Sequence, residues 1–207
     1  MISSASDAKR QAILKAATRM FLAQGYRTVS MEKIAQAAPV SKATLYNHFD
    51  SKNALLAGVI AETCESLLQT MTLIRIDEGD MESTLNKIAA SFVELIFSEK
   101  ALSIHRLIIA ESREFPELSR LFYSTGPQAA LTQLAENLQQ LKNKGQFQDV
   151  DSFFSADVFF SLLKGDLYLQ CLLGIKPLPA TEEKQRWIEQ VVSFYMRGMD
   201  TTTWRNK

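Results

Sequence analysis

Apolar positions along this chain recur every three to four residues rather than every two, the spacing of one face of an α-helix. Ile13, Ala16, Ala17, Met20 and Phe21 mark the first helix. It is expected to start near Ser6-Asp7, with Ser6 as N-cap, and to stop at Gly25, placed as a C-terminal glycine cap. A second begins at Ser30, where Val29 and Ile34 flank the cap as a hydrophobic staple. It ends by about Ala37, because Pro39 steers Ala38 away from helical geometry. Short and long helices follow from Ser41 to about Phe49 and from Ser51 to about Ile74. Asp77-Glu78-Gly79-Asp80 interrupts the pattern, and Asp80 is expected to cap a helix to about Ser98. Further helices run from Ala101 to Glu114, from Pro116 to Phe122, and from Pro127 to Lys144-Gly145. Asp151 caps an apolar helix closed by Gly174, and Thr181 caps the last, to about Met199. No strand pattern or repeat competes with this reading, so the expected class is all-α.

Composition supports it. Glycine (8) and proline (5) are few, and apolar residues make up 46% of 207 residues, enough for a substantial core. Net charge is zero, but it is unevenly spread. The first 60 residues hold eight Lys/Arg against three Asp/Glu, a net +5, and the rest carries −5. A basic head on an acidic body suggests two domains with different partners. Cys64 and Cys171 match no metal spacing and read as reduced, buried thiols of a cytoplasmic protein. No metal or cofactor is expected. The polar N-terminus does not resemble a signal peptide. The most apolar stretch, Phe153 to Gly174, contains Asp157, Lys164 and Asp166, which argues against a membrane span.

The stretch from Thr28 to Lys52 carries the functional signal. Two short helices separated by a three- to four-residue turn have the layout of a helix-turn-helix. On the second, Leu45 and Phe49 face inward, and Ala43, Thr44, Tyr46 and Asn47 project outward, a set suited to base edges and phosphates. Ser41-Lys42 and Ser51-Lys52 each put a lysine at a helix start, where the dipole disfavours a cation unless an anion docks there. Solvated lysines at these positions are the plainer alternative.

Residues Met31 to Phe49 (MEKIAQAAPVSKATLYNHF) resemble the signature of the TetR family of DNA-binding regulators. The frame agrees: Ile13-Leu14-Lys15-Ala16-Ala17, Phe21 and Gly25-Tyr26 precede it, and Ser51-Lys52 with Leu55 follow. The resemblance implies a three-helix DNA reader over residues 1–56, with a helical ligand-binding and dimerisation domain over 57–207. It implies DNA contacts from Thr28 and Ser30, from Ser41, Lys42, Ala43, Thr44, Tyr46, Asn47 and His48, and from Lys52. One position departs from the pattern: Pro39 stands where the family usually has glycine. Glycine allows a positive φ there and proline fixes φ near −65°, so the turn is expected to be built differently.

In the second half, His105-Arg106-Leu107-Ile108-Ile109-Ala110-Glu111-Ser112 and Phe115-Pro116-Glu117-Leu118 resemble the AcrR/AefR-like branch of the family, as do Phe122-Tyr123 and Gly126-Pro127. This implies a bundle with an effector cavity and a dimer formed by its last two long helices. Candidate pocket residues are Phe92, Ile96, His105, Glu111, Phe159 and Leu163; each also suits a plain core. The helix from Phe153 is apolar round most of its circumference, so it has to be buried on several sides. Leu162 and Leu169 with Ile188, Val191, Val192 and Tyr195 are the expected dimer contacts, a wholly intramolecular core being the alternative. An enzyme is disfavoured: the chain lacks a Gly-rich phosphate loop, HExxH, CxxC and GxSxG. The expected function is a homodimeric cytoplasmic repressor, bound to palindromic operator DNA and released by a small, largely apolar effector. The alternative is a helical ligand-binding or interaction protein without specific DNA binding.

Overall fold

The computed structural model describes residues 5–72, 81–143 and 151–199. Among them are ten α-helices and no strand. They are α1 (Ala5–Gln24), α2 (Met31–Ala37), α3 (Lys42–His48), α4 (Lys52–Thr72), α5 (Met81–Ile96), α6 (Glu99–Glu111), α7 (Pro116–Thr125), α8 (Pro127–Asn143), α9 (Ser152–Leu172) and α10 (Thr181–Met199). The expected break at Asp77-Glu78-Gly79-Asp80, with its Asp80 cap, and the expected stop at Lys144-Gly145 lie outside the described residues.

Contacts divide the chain into two compact units. One holds Met1–Glu65 and Ser103–Thr125, the other Ser66–Leu102 and Gly126–Lys207. The division falls inside α4 and inside α6, so the described part of the first unit is α1 to α3, most of α4 and α6, and α7.

The first unit closes around Ile13, Leu14, Ala17 and Phe21 of α1, Ile34 of α2, Leu45 of α3, Leu55, Leu56 and Ile60 of α4, and Ile104 and Ile108 of α6. Gly25 ends α1 as expected, at φ 81°, with its N–H on the Phe21 carbonyl at 3.0 Å. Ser30 and Ser41 cap α2 and α3, their hydroxyls accepting from the Lys33 and Thr44 N–H groups at 3.3 and 3.1 Å. Ser6 is not the first cap, because the helix already begins at Ala5 and Ser6 lies within its first turn.

The second unit packs α5, α8, α9 and α10 around Phe92, Val93, Leu134, Leu138, Phe159 and Val192. Asp151 caps α9 as expected, accepting from the Phe154 N–H at 2.7 Å. Ala180 does the work expected of Thr181: its carbonyl accepts from Glu183 and Lys184 at 3.0 Å, and Thr181 is already helical. One feature was not expected. At Gly165, with φ 52° and ψ −166°, α9 leaves helical geometry and resumes. Cys64 and Cys171 are both buried and unbridged. No helix among the described residues is long and apolar enough to cross a membrane.

Candidate nucleic-acid interface

The surface of α2, α3 and the start of α4 is built by the caps beneath it. Leu45 is fully buried and Phe49, the C-cap of α3, nearly so; together they anchor one side of the helix in the core. The opposite side is left to Ala43, Tyr46 and Asn47, all exposed. Thr44 is half-buried. Its hydroxyl sits 2.9 Å from that of Ser41, because it belongs to the capping arrangement at the helix start. His48 is half-buried in the last turn of α3.

The two lysines stand at the first positions of α3 and α4, as expected, and neither is unengaged. The Lys42 ammonium lies 2.5 Å from Glu32 Oε1 and 5.8 Å from the centre of the Tyr46 ring. The bond to Glu32 raises the Lys42 pKa, and the same bond lowers that of Glu32. Lys52 is half-buried, with its ammonium 4.3 Å from the centre of the Tyr26 ring and donating to the Arg27 carbonyl at 3.3 Å. Burial pushes its pKa down, against the pull of Glu111. Thr28 is exposed, but its hydroxyl donates back to the carbonyls of Gln24 and, at 3.1 Å, Gly25.

The turn between α2 and α3 is not rebuilt around its proline. Pro39 takes φ 22°, on the positive side that suits glycine. The Val40 N–H reaches back to the Ala35 carbonyl at 3.0 Å, the six-to-one bond of a Schellman ending. The companion five-to-two bond, from residue 39 to the Gln36 carbonyl, has no donor because proline has no N–H. The expectation of a different turn is therefore corrected: cap and core fix the turn, and the proline adapts to it.

Sequence reasoning did not find the polar cluster behind this surface. Arg27, in the turn after α1, pairs with Glu111 at 3.1 Å and with Glu114. The Tyr26 hydroxyl donates to Asn53 Oδ1, and its ring meets Phe115 edge-on at 5.6 Å. Burial, then Glu111, Glu114 and Glu117, push the Tyr26 pKa up to about 12. Glu111 is thus the buried partner of an arginine. The signal that could have found it is a carboxylate on the apolar side of α6, which calls for a cation.

The six candidate pocket residues do not share a unit. Phe92, Ile96, Phe159 and Leu163 belong to the continuous packed core of the second. His105 and Glu111 lie in the first, with the His105 ring 4.8 Å from that of Phe122. Of the expected dimer contacts, Ile188, Val191, Val192 and Tyr195 are buried in their own chain, the last beneath a hydroxyl contact to Ser155. Leu162 is half-buried, and Leu169 is 52% exposed. Exposed apolar side chains of the second unit outside the expected dimer set are Phe153, Phe154, Leu173, Ile175 and Phe194.

Known proteins resemble this chain along most of its length. The family model for bacterial regulatory proteins of the tetR family matches residues 13–59. That for the C-terminal domain of AefR-like transcriptional repressors matches residues 83–198. An uncharacterized HTH-type transcriptional regulator of Bacillus subtilis, YvkB, is 25% identical over 187 residues, which span 90% of this chain and 95% of the relative. Among solved structures, the flavonoid-responsive regulator FrrA is 34% identical, with a TM-score of 0.78 over 92% of this chain and 96% of its own. A TetR-family structure from Mesorhizobium loti is 28% identical, with a TM-score of 0.83 over 95% of this chain and 98% of its own. These relatives are regulators of transcription and not enzymes.

Proposed function

Because the chain belongs to the TetR family of bacterial transcriptional regulators, with that family's DNA-binding helix-turn-helix, we propose that it is a homodimeric repressor released from a palindromic operator by a small, largely apolar effector. The observation that carries the DNA part is the outward side of α3. A capped helix with a buried Leu45–Phe49 side offers Ala43, Tyr46 and Asn47 to a groove. Lys42 and Lys52 stand at helix starts where phosphate is favoured. Ser41 and Thr44 hold the start of the reading helix, and Thr28, Ser30 and His48 flank it. One helix of seven residues reads too few bases for genomic specificity. Two copies entering successive major grooves, about 34–36 Å apart or a multiple of that, supply the rest.

The second copy is proposed to dock on α9 and α10. Phe194 is 62% exposed and Leu169 52%, and an open groove of about 610 Å³ between Leu162, Trp187, Gln190 and Phe194 is left for a partner side chain. The AefR-like match supports the repressor role, and for the effector the flavonoid response named for FrrA supports an aromatic class of molecule. Phe92, Ile96, Phe159 and Leu163 make the second unit's interior suited to it. Release requires that the effector bind the DNA-incompetent state better. A tenfold loss of DNA affinity takes about 1.4 kcal/mol of such preference. The helix α4 holds residues of both units and is the proposed carrier of the shift. Such a regulator acts in the cytoplasm, with the chromosome.

Selection from a random duplex library tests the operator, and sedimentation tests the assembly. The expected results are one enriched palindrome and a dimer at micromolar concentration. A monomer with full affinity for a single half-site would contradict the reading.

A further inference from the structure

Three cations of the first unit lie over aromatic rings: Lys42 over Tyr46, Lys52 over Tyr26, and Arg10 over Phe49 at 5.4 Å from the ring centre. The first two stand where DNA contacts are expected. Arg10 belongs to no motif.

Its seat is a fixed one. Phe49 is the C-cap of α3 and only 6% exposed. Gly58 of α4 lies so close beneath it that an added Cβ would come within 2.9 Å of Phe49 Cε1 and 3.1 Å of Leu14 Cδ2. The ring is thus packed against the α4 backbone on that side, and the guanidinium rests at the C-terminal end of the reading helix. Lys42 marks the other end, seven residues away, or about 10 Å along the axis.

The two ends differ electrostatically. Lys42 carries Glu32 as a counter-charge. Among the described residues no carboxylate pairs with Arg10, which is exposed on α1. Its neighbour Lys9 is exposed as well. An aromatic ring accepts no N–H···O bond, so a guanidinium 5.4 Å above one keeps N–H donors for phosphate oxygens, which an arginine fork can grip in pairs.

We propose that Arg10 is a further DNA-backbone contact, gripping a phosphate at the C-terminal end of α3 from its seat on Phe49. Lys42 and the capped start of α3 hold the backbone at the opposite end. The reading helix is thereby clamped at both ends, which fixes its register in the groove without reading bases.

The proposal rests on the DNA-binding reading of α3, so the test separates the two. A fluorescein-labelled 30-base-pair duplex of random sequence is titrated with the full chain, by anisotropy, between about 50 and 200 mM KCl. Arg10→Met keeps an apolar cover on Phe49 and removes the charge; Arg10→Lys keeps the charge. The expected result is that Arg10→Met binds more weakly and lowers the salt slope by about one unit per bound protomer, as Lys42→Ala does. Arg10→Lys should stay close to the parent. If Lys42→Ala weakens binding and Arg10→Met does not, Arg10 merely covers the ring and the proposal fails alone. If the parent does not bind the duplex, the proposal and the reading beneath it fail together.

Discussion

The Trp187 indole N–H donates to the Leu163 carbonyl at 3.0 Å, at the point where α9 is broken by Gly165. In an unbroken helix that carbonyl would accept from the fourth residue on. The break frees it, and a tryptophan from α10 takes it up. The glycine is required twice, by its positive φ and because an added Cβ would come within 2.8 Å of the Trp187 ring. Gly165→Ala is expected to cost about 1–3 kcal/mol in urea unfolding, the range for a side chain forced into such a conformation. Trp187→Phe, which leaves the Leu163 carbonyl unpaired, should cost a similar 1–3 kcal/mol. Unfolding midpoints equal to the parent's in both variants would mean that the break and the indole are unrelated.

Pro39 gives the opposite sign. Its φ of 22° is opposed by its own ring, and it withholds the N–H that Gln36 would accept. Pro39→Gly relieves strain of about 1–3 kcal/mol. It also frees the unfolded chain by about 0.4–1 kcal/mol. A net stabilisation of about 1 kcal/mol is expected by chemical denaturation. A lower stability in the variant would show that proline is at ease in this turn.

How much of this was legible beforehand depends on the range of the signal. The caps at Ser30, Ser41, Gly25 and Asp151 were readable because a cap is a local device, written in one residue and its neighbours within four. The inward side of α3 followed from the spacing of Leu45 and Phe49. The Gly165 break was hidden, because a glycine within an apolar run does not say that a tryptophan 22 residues later fills the gap. Arg27 and Glu111 are 84 residues apart, and their pairing depends on tertiary packing alone. The same holds for Ile188, Val191, Val192 and Tyr195. Periodicity marks them as buried without saying whether their own chain or a second copy does the burying.

Arg27 and Glu111 supply a third prediction. Glu111 is 7% exposed and Arg27 is its hydrogen-bonded cation, so Arg27→Met leaves a buried carboxylate with only the weaker pull of Lys52. The melting temperature is expected to fall. Adding Glu111→Gln should restore part of the loss, because a neutral amide is easier to bury. A double variant no more stable than Arg27→Met alone would remove the pair from the account.

Glu32 is expected to restrain binding to DNA of any sequence. It occupies the Lys42 ammonium, which has to exchange it for a phosphate on binding. Glu32→Gln should tighten binding to a random duplex severalfold at low salt and narrow the preference for the selected operator. Equal affinity for the random duplex in parent and variant would show that the pair offers no competition.

The most direct test of the account compares two duplexes and two proteins. Anisotropy titrations at one salt concentration measure the preference for the selected palindrome over a random duplex, in the parent and in Tyr46→Ala/Asn47→Ala. These two side chains are exposed on α3, so folding should be kept, as circular dichroism can check. The account predicts that the double variant loses most of the preference, with each removed base contact worth about 1–3 kcal/mol, and still binds random duplex through its cations. A double variant that keeps the parent's preference would contradict the assignment of α3 as the element that reads the operator.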